Sequence, residues 1–197
     1  MTPPYQPFTL GAEAGTTGYG GTAAWRFADH FGVRAGLDYF QYSFSVKVED
    51  AKYDFKIHLM SEPMALDLFP SQGSTFHLSL GALINQNKFN GGNGSAQDIT
   101  INGNPYSVPA NALRLKLEQP SALPYASLGG NAYLDRGHHW SLGGELGAAY
   151  GRWNTSLTDS SSTISPTDLA TEQSKVRNAA NKVPVWPIIK INVSYSF

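Results

Sequence analysis

The chain has 197 residues, a formal net charge of −1 and no cysteine, and only 15% of its residues are charged. The missing cysteines exclude disulfides, thiolate nucleophiles and thiolate metal sites, and the balanced charge leaves no electrostatic footprint for nucleic acid. The sequence has no run of about 18 apolar residues, which excludes a transmembrane helix.

Alternation of apolar and polar residues with a period of two predicts eight strands. They lie, in chain order, at about 8–14, 19–28, 31–46, 52–68, 75–88, 112–134, 140–153 and 186–197. Pro63 falls inside the fourth strand and has no N–H for the ladder. We therefore expect a β-bulge there, with a register shift. The shift would put one set of apolar residues on a common outward face: Tyr53, Phe55, Ile57, Leu59, Met64, Leu66 and Leu68.

The connections between the predicted strands differ in length. The short ones are 15–18, 29–31, 69–74 and 135–139, and the longer ones are about 47–51, 89–111 and 154–185. Within 89–111, alternation around Asn102-Gly103 predicts a small hairpin. Within 154–185, Ser165, Pro166 and Asp168 have the form of a helix start, which predicts a helix of about three turns up to Ala180.

The last predicted strand alternates up to the final residue of the chain. Its polar face has one apolar exception, Ile188, and its apolar face ends on the ring of Phe197. Terminal residues of soluble proteins usually fray, so this ending indicates a paired strand whose ring lies where a flat amphipathic group is stable. A membrane interface is such a place.

Alternation alone does not say which face of a strand points outward. A soluble, lipocalin-like barrel has the same period with its apolar face inside. Three features favour a membrane barrel: short and long connections alternate, the polar faces mix glycine, serine, asparagine and isolated charges, and aromatic residues lie near strand ends. Those aromatic residues are Phe8, Tyr19, Phe27, Phe31, Tyr39, Tyr53, Phe76, Trp140, Tyr150 and Phe197.

The first hairpin at 15–18, the turn at 29–34 and the ending at 193–197 resemble those of small outer-membrane β-barrel proteins of Gram-negative bacteria, the eight-stranded class of OmpA and OmpX. The resemblance implies an all-β fold class: an eight-stranded antiparallel up-and-down transmembrane β-barrel with short periplasmic turns and long outer loops. It implies a single domain over residues 1–197.

The same resemblance implies a place in the bacterial outer membrane and a set of partners. These are outer-membrane lipid and lipopolysaccharide around the barrel, and the barrel-assembly machinery, which would recognise Phe197. Residues 1–4 read as an initiator placed on a mature chain, so we expect the export signal to be absent from this sequence.

If the apolar faces meet lipid, the charged residues face a lumen that is about wide enough for its own side chains. Charges there lose bulk water and must pair. Counting from the strand ends predicts that Lys190 lies between Glu13 and Glu145. The full predicted lumen ionic cluster is Glu13, Glu145, Lys190, Arg26, Arg34, Asp38, Lys56, Glu62 and Arg114. The wider inward set adds His58, Asp67, Lys116 and Glu118.

Three functions stay open at this point. The first is a structural or surface-interaction role with a charge-plugged lumen, in which the long outer loops could bind an external ligand. The second is a narrow channel for small solutes or hydrophobic molecules, gated by exchange of ionic partners. The third is a lipid-modifying enzyme, but the one His-x-Ser, His77 with Ser79, is expected to face inward, away from lipid. No catalytic residue, metal site, cofactor or nucleic-acid partner is predicted.

Overall fold

The computed structural model describes residues 6–48 and 51–197. Residues 1–4 and the tip of the predicted loop at 47–51, residues 49 and 50, therefore lie outside the described residues. The strands and the helix are β1 (Phe8–Gly15), β2 (Gly18–Ala28), β3 (Phe31–Val48), β4 (Ala51–Leu68), β5 (His77–Asn85), β6 (Lys88–Asn93), β7 (Gln97–Ile101), β8 (Asn104–Val108), β9 (Leu113–Glu118), β10 (Ala122–Tyr133), β11 (Trp140–Tyr150), β12 (Asn154–Asp159), α1 (Pro166–Ala180) and β13 (Val185–Ser196). Within the described residues, no helix is long and apolar enough to cross a membrane.

Eight antiparallel strands form a closed ring. The order around it is β1, β2, β3, β4, β5, β10, β11 and β13, and β13 pairs again with β1. We call the end that carries Phe8 and Phe197 the lower end and the opposite one the upper end. The ring confirms the predicted fold class, with three short turns at the lower end. At the upper end, the connections from β5 to β10 and from β11 to β13 are long, whereas β1 and β2 are joined by a tight turn. The predicted longer loop at 47–51 is wrong, because β3 continues to Val48 and β4 begins at Ala51.

The ring strands turn their apolar side chains outward. On β10 exposed and buried residues alternate from Ala122 to Gly129, with Leu128 half exposed and Ser127 buried. On β13, Ile191 is 66% exposed whereas Lys190 is 4% exposed. An exposed apolar surface of this size around a polar interior is stable in hydrocarbon and not in water.

The final residue is tied to the first strand, as its sequence pattern predicts. The Phe197 N–H donates to the Phe8 carbonyl at 2.9 Å, and the Phe8 N–H donates to the Phe197 carbonyl at 3.3 Å. The Phe8 ring stacks between those of Trp25, at 6.0 Å, and Phe197, at 6.2 Å. These rings form an aromatic band at the lower end of the outer surface.

The two longest predicted loops contain additional strands, β6, β7, β8 and β12. The prediction of a single sixth strand at 112–134 is wrong, because the chain breaks around Pro120 into β9, which leaves the ring, and β10, which belongs to it. The upper half of β4 leaves β5 and pairs with β6, which pairs with β9, which pairs with β12. We call these three strands, together with the upper half of β4, the upper sheet. Period two is hard to detect in β6 because Gly91 and Gly92 carry no side chain and Asn90 and Asn93 surround them.

The predicted hairpin and helix are confirmed, and together they cover the upper sheet. Asn102 and Gly103 both have positive φ, as a two-residue hairpin turn between β7 and β8 requires. Ser165 caps α1 by accepting a hydrogen bond from the Asp168 N–H at 3.2 Å. The upper sheet, the β7–β8 hairpin and α1 form a unit that we call the dome.

The predicted bulge at Pro63 is wrong. The pairs Ala35–Met64 and Asp38–Ser61 belong to one register, and the ladder between β3 and β4 merely skips the two positions between them. The strand therefore loses hydrogen bonds at the proline without gaining a residue. Because the register is continuous, Tyr53, Phe55, Ile57 and Leu59 share the inward face with Ser61 and Asp67.

Candidate functional site in the lumen

A small polar vestibule opens at the lower end of the lumen. Its volume is about 90 Å³, and its upper limit is formed by Arg34 and Asp67. Arg26 stands near its mouth, where Nη1 donates to the Ser74 carbonyl at 2.7 Å and the guanidinium lies 3.8 Å from the centre of the Phe69 ring. Arg26 thus belongs to the rim of the barrel rather than to the ionic groups above it. The space suits a few water molecules.

Arg34 organises the first ionic group above this vestibule. Its Nη1 donates to Glu145 Oε2, its Nε lies 3.3 Å from Asp67 Oδ2, and its Nη2 donates to Ser79 Oγ at 2.8 Å. Ser79 in turn donates to Asp67 Oδ1 at 2.6 Å, and the Tyr125 hydroxyl donates to Glu145 Oε1. The planar fork of arginine suits this arrangement, since it can satisfy two carboxylates at once.

Lys190 organises the second ionic group, nearer the upper end. Its Nζ lies 2.7 Å from Glu13 Oε1 and 2.6 Å from Asp38 Oδ2. Thr17, in the tight turn between β1 and β2, donates to the same Asp38 oxygen at 2.6 Å. All four side chains are buried, so each charge depends on these partners instead of water.

The predicted Glu13–Lys190–Glu145 triad needs a correction. Lys190 and Glu145 are direct cross-strand partners, but Lys190 binds Glu13 and Asp38, and Glu145 binds Arg34. Inward side chains converge across a narrow ring, so long side chains reach opposite strands as easily as adjacent ones. Asp67 belongs to the predicted wider inward set, but spacing does not predict its bond to Arg34.

Three residues of the predicted lumen cluster lie outside the lumen: Lys56, Glu62 and Arg114. Lys56 and Glu62 are on the outward face of β4, because the expected register shift at Pro63 is absent. Arg114 is on β9, which belongs to the upper sheet and not to the ring. The same corrections apply to the rest of the wider inward set apart from Asp67: His58, Lys116 and Glu118.

An apolar layer lies above the ionic groups. It consists of the inward side chains of Leu83, Leu123, Tyr125, Ala149 and Ile188, each at most 5% exposed. Tyr125 joins the two levels, because its ring packs in this layer while its hydroxyl binds Glu145. Sequence reasoning missed the layer as a unit, although Ile188 as the single apolar residue on a polar face was its signal.

His77 and Ser79 both point into the lumen, as expected from the sequence. The His77 Nδ1 lies 3.1 Å from the Thr75 carbonyl, and Ser79 is engaged by Asp67 and Arg34. Neither side chain reaches the lipid-facing surface. The absence of enzymatic activity stays a prediction.

One carboxylate joins two parts of the dome. Asp168 accepts hydrogen bonds from Tyr106 Oη at 2.5 Å, Asn104 Nδ2 at 2.7 Å and Asn102 Nδ2 at 3.1 Å, which joins α1 to the β7–β8 hairpin. These bonds, that of Tyr106 first, lower the pKa of Asp168 to about 2. Asp168 therefore stays charged at any physiological pH.

The closed ring, its apolar outer belt and its polar lumen define the class of this protein: a small outer-membrane β-barrel of the Gram-negative type. This confirms the resemblance and places the chain in a bacterial outer membrane. Two crystal structures from Acinetobacter baumannii share the fold. CarO2 is 22% identical, with a TM-score of 0.62 over 98% of this chain and 99% of that one. CarO is 21% identical, with a TM-score of 0.62 over 97% and 98%.

No protein-family model and no curated protein matches the sequence. At about one identical residue in five, the likeness to the two CarO structures establishes the fold alone. Any statement about what passes through this barrel or binds to it has to rest on its own residues.

Proposed function

We propose that this protein is a closed outer-membrane barrel that presents a folded dome at the cell surface, with a structural or surface-interaction role. The observation that carries the proposal is the double filling of the lumen. Two ionic groups centred on Arg34 and Lys190 lie below an apolar layer centred on Leu83, Leu123 and Ile188. A hydrated ion would have to displace both.

The two fillings oppose permeation by different means. The ionic groups can exchange partners, which would leave a polar path, but the apolar layer offers a permeating ion no ligand to replace its hydration water. Conversely, the apolar layer alone could be opened by side-chain motion. The ionic groups resist such motion, because their ion pairs connect side chains from strands on opposite sides of the ring. The ionic groups and the apolar layer together therefore seal the lumen better than either would alone.

Planar-bilayer recording tests this proposal. We expect the parent protein to give no discrete conductance steps. Arg34→Ser with Lys190→Ser, or Leu123→Gly alone, should give few or none, since each leaves one filling intact. The triple variant R34S/K190S/L123G should give steps. Leu128→Gly with R34S/K190S is the matched control, because Leu128 is an outward residue on the strand that carries Leu123. Regular steps from the parent would contradict the closed lumen and favour the narrow channel.

A cavity in the dome favours binding of a small apolar external ligand as a second candidate function. It has a volume of about 320 Å³ between the upper sheet, β7 and α1, and its walls include Phe55, Leu115, Leu157 and Val176. Binding of an apolar fluorescent probe to the protein in lipid nanodiscs would measure this. Val176→Trp should fill the cavity and abolish saturable binding, whereas Val183→Trp, at an exposed position beyond α1, should not. Unchanged binding to V176W would contradict a site in the dome.

We also propose that the barrel-assembly machinery recognises Phe197. Its position at the periplasmic end of the last strand, with its ring on the outer surface, supports this. Phe197→Ala should lower the fraction of protein that reaches the membrane in cells while the refolded protein remains barrel-like in detergent. Equal insertion of parent and F197A in cells would contradict the proposal.

A further inference from the structure

The outward face of the upper sheet continues the lipid-facing side of the barrel but has the opposite chemistry. Where the ring shows leucine and valine, this face is polar in every strand. Its residues on β4, β6, β9 and β12 are Asp54, Lys56, His58, Lys88, Asn90, Arg114, Lys116, Glu118, Asn154, Ser156 and Thr158. One row crosses the whole sheet through Lys56, Asn90, Lys116 and Ser156.

Cations outnumber carboxylates on this face by four to two. Lys88 and Lys116 share one carboxylate, that of Glu118, at 3.8 and 2.9 Å. Within the described residues, neither Lys56 nor Arg114 has an ion-pair partner closer than 4 Å. Both remain available to an anion.

The unpaired cations border a groove. It has a volume of about 560 Å³ and is lined by three cations, Lys56, Arg114 and Lys116, and by polar groups of Asn90, Ser156 and Thr158. The carboxylate of Asp54 also lines it, but it is already paired with Lys52 at 3.4 Å. The groove exists because Gly92 stands between Asp54 and Arg114 in the register and contributes no side chain. Cations flanked by hydroxyl and amide groups suit a phosphorylated sugar. The cations can bind the phosphate, and the hydroxyl and amide groups can bind the sugar hydroxyls.

The groove lies at the height of the outer-leaflet headgroups. Lys56 precedes the outward residue Met60 by four positions and lies above it on β4. Four positions are about 13 Å along a strand and about 10 Å along the barrel axis at the usual strand tilt. Met60 is the partner of Tyr39, an exposed aromatic residue near the top of the apolar belt. The lysine ammonium is therefore held just above the hydrocarbon, facing laterally into the membrane plane.

We propose that this face, centred on Lys56, Arg114 and Lys116, binds the phosphate groups of the lipid A and inner-core sugars of lipopolysaccharide. The assignment rests on the proposed orientation, with the dome outside the cell. The position of the groove, as well as its charge, favours this ligand. Because the groove faces sideways just above the apolar belt, the nearest anion is the headgroup of a neighbouring lipid. The Arg114 fork supplies a bidentate phosphate contact, and the two lysines supply point charges on either side.

The test compares binding of two lipopolysaccharide preparations to purified protein in detergent with EDTA, so that bridging metal ions are removed. One preparation keeps its phosphates and the other has been chemically dephosphorylated. We expect the parent to bind the phosphorylated form at least tenfold more tightly. The triple variant K56Q/R114Q/K116Q should lose this preference, and K56R/K116R should keep it.

The matched control is K175Q/R177Q/K182Q, which removes the same number of cations from exposed positions on α1 and just after it. This control should bind both preparations as the parent does. Equal losses in the two triple variants would mean that net charge alone attracts lipopolysaccharide, and equal binding of both preparations by the parent would mean that phosphate is not recognised. Either result overturns the proposal. Neither depends on whether the lumen conducts, so this test and the bilayer recording fail independently.

Discussion

The ring and the upper sheet meet within a single strand, and their faces have opposite chemistry. Along the lower half of β4, the inward face carries Asp67 and Ser61 while Leu66 and Met64 face outward. Along its upper half, the inward face carries Phe55 and the outward face carries Lys56. The backbone register does not change between them.

What changes is the medium outside the strand. In the ring the outer surface meets hydrocarbon, so apolar side chains belong outside and the polar ones fill the lumen. In the upper sheet the outer surface meets water and headgroups, while the inner surface is covered by α1 and the hairpin, so apolar side chains belong inside. A single periodic strand can serve both regions only by exchanging the chemistry of its faces at the membrane boundary.

The largest expected difference between the two regions lies in their ion pairs. Arg34→Met leaves the carboxylates of Glu145 and Asp67 buried without their cation, which should cost about 3–5 kcal/mol in the free energy of unfolding. Lys116→Met removes one partner of Glu118 at a surface that is open to water, and should cost less than about 1 kcal/mol.

Denaturant unfolding of both variants in lipid vesicles measures the contrast. Circular dichroism of the folded proteins checks that each variant retains its strands. Similar losses for R34M and K116M would show that the lumen groups are as hydrated as those of the upper sheet, contrary to their burial.

The second largest difference is expected when a charge is placed on the outward face of each region. Leu146→Arg puts a guanidinium into the belt at a position that is 63% exposed to lipid, with an expected cost of about 2–4 kcal/mol. Ser156→Arg puts the same group on the outward face of the upper sheet, where we expect a change within about 0.5 kcal/mol. If S156R lost as much stability as L146R in the vesicle unfolding assay, the upper sheet would have to lie inside the bilayer.

The smallest expected effect is a pH response confined to the dome. The pKa of Asp168 is lowered to about 2 from an ordinary value of 3.8, so its stabilising effect is complete above about pH 4 and is lost as the pH falls through about 2. Amides of the β7–β8 hairpin should lose hydrogen-exchange protection across that window, after correction for intrinsic rates, while ring amides keep theirs.

Asp168→Asn should remove this response, and Asp98→Asn, at an exposed position on β7, should leave it in place. An identical response in the parent and D168N would mean that another group titrates.

The sequence predicts those parts of the fold in which one face is uniformly apolar over a whole strand. The ring strands β1, β2, β11 and β13 follow from alternation, and the turn at Asn102 and the cap at Ser165 follow from local backbone chemistry. These features depend on neighbours in the sequence or on a single medium. Predicting them does not require knowing which residues pack against the strand from elsewhere in the sequence.

The parts that could not be predicted depend on contacts distant in sequence. The outward position of Lys56 requires knowing that β4 leaves the membrane without a bulge at Pro63. The bond between Lys190 and Asp38 requires knowing which side chains meet across the lumen, because spacing alone favours Glu145 as the second partner of Lys190. Alternation establishes that a strand has an apolar and a polar face, but the surrounding medium determines which of them points outward.

The exchange of faces along β4 is the arrangement on which the proposed seal and the proposed lipopolysaccharide groove both depend. Single cysteines test it directly, because the chain has none of its own. Cysteine variants of Lys56, Met64 and Asp67, labelled in refolded protein in lipid vesicles, would report the medium at each position. We expect Cys at position 56 to react with a membrane-impermeant maleimide, position 64 to react only with a lipid-soluble one, and position 67 to be protected from both. Rapid labelling of position 67 with protection of position 56 would contradict the account.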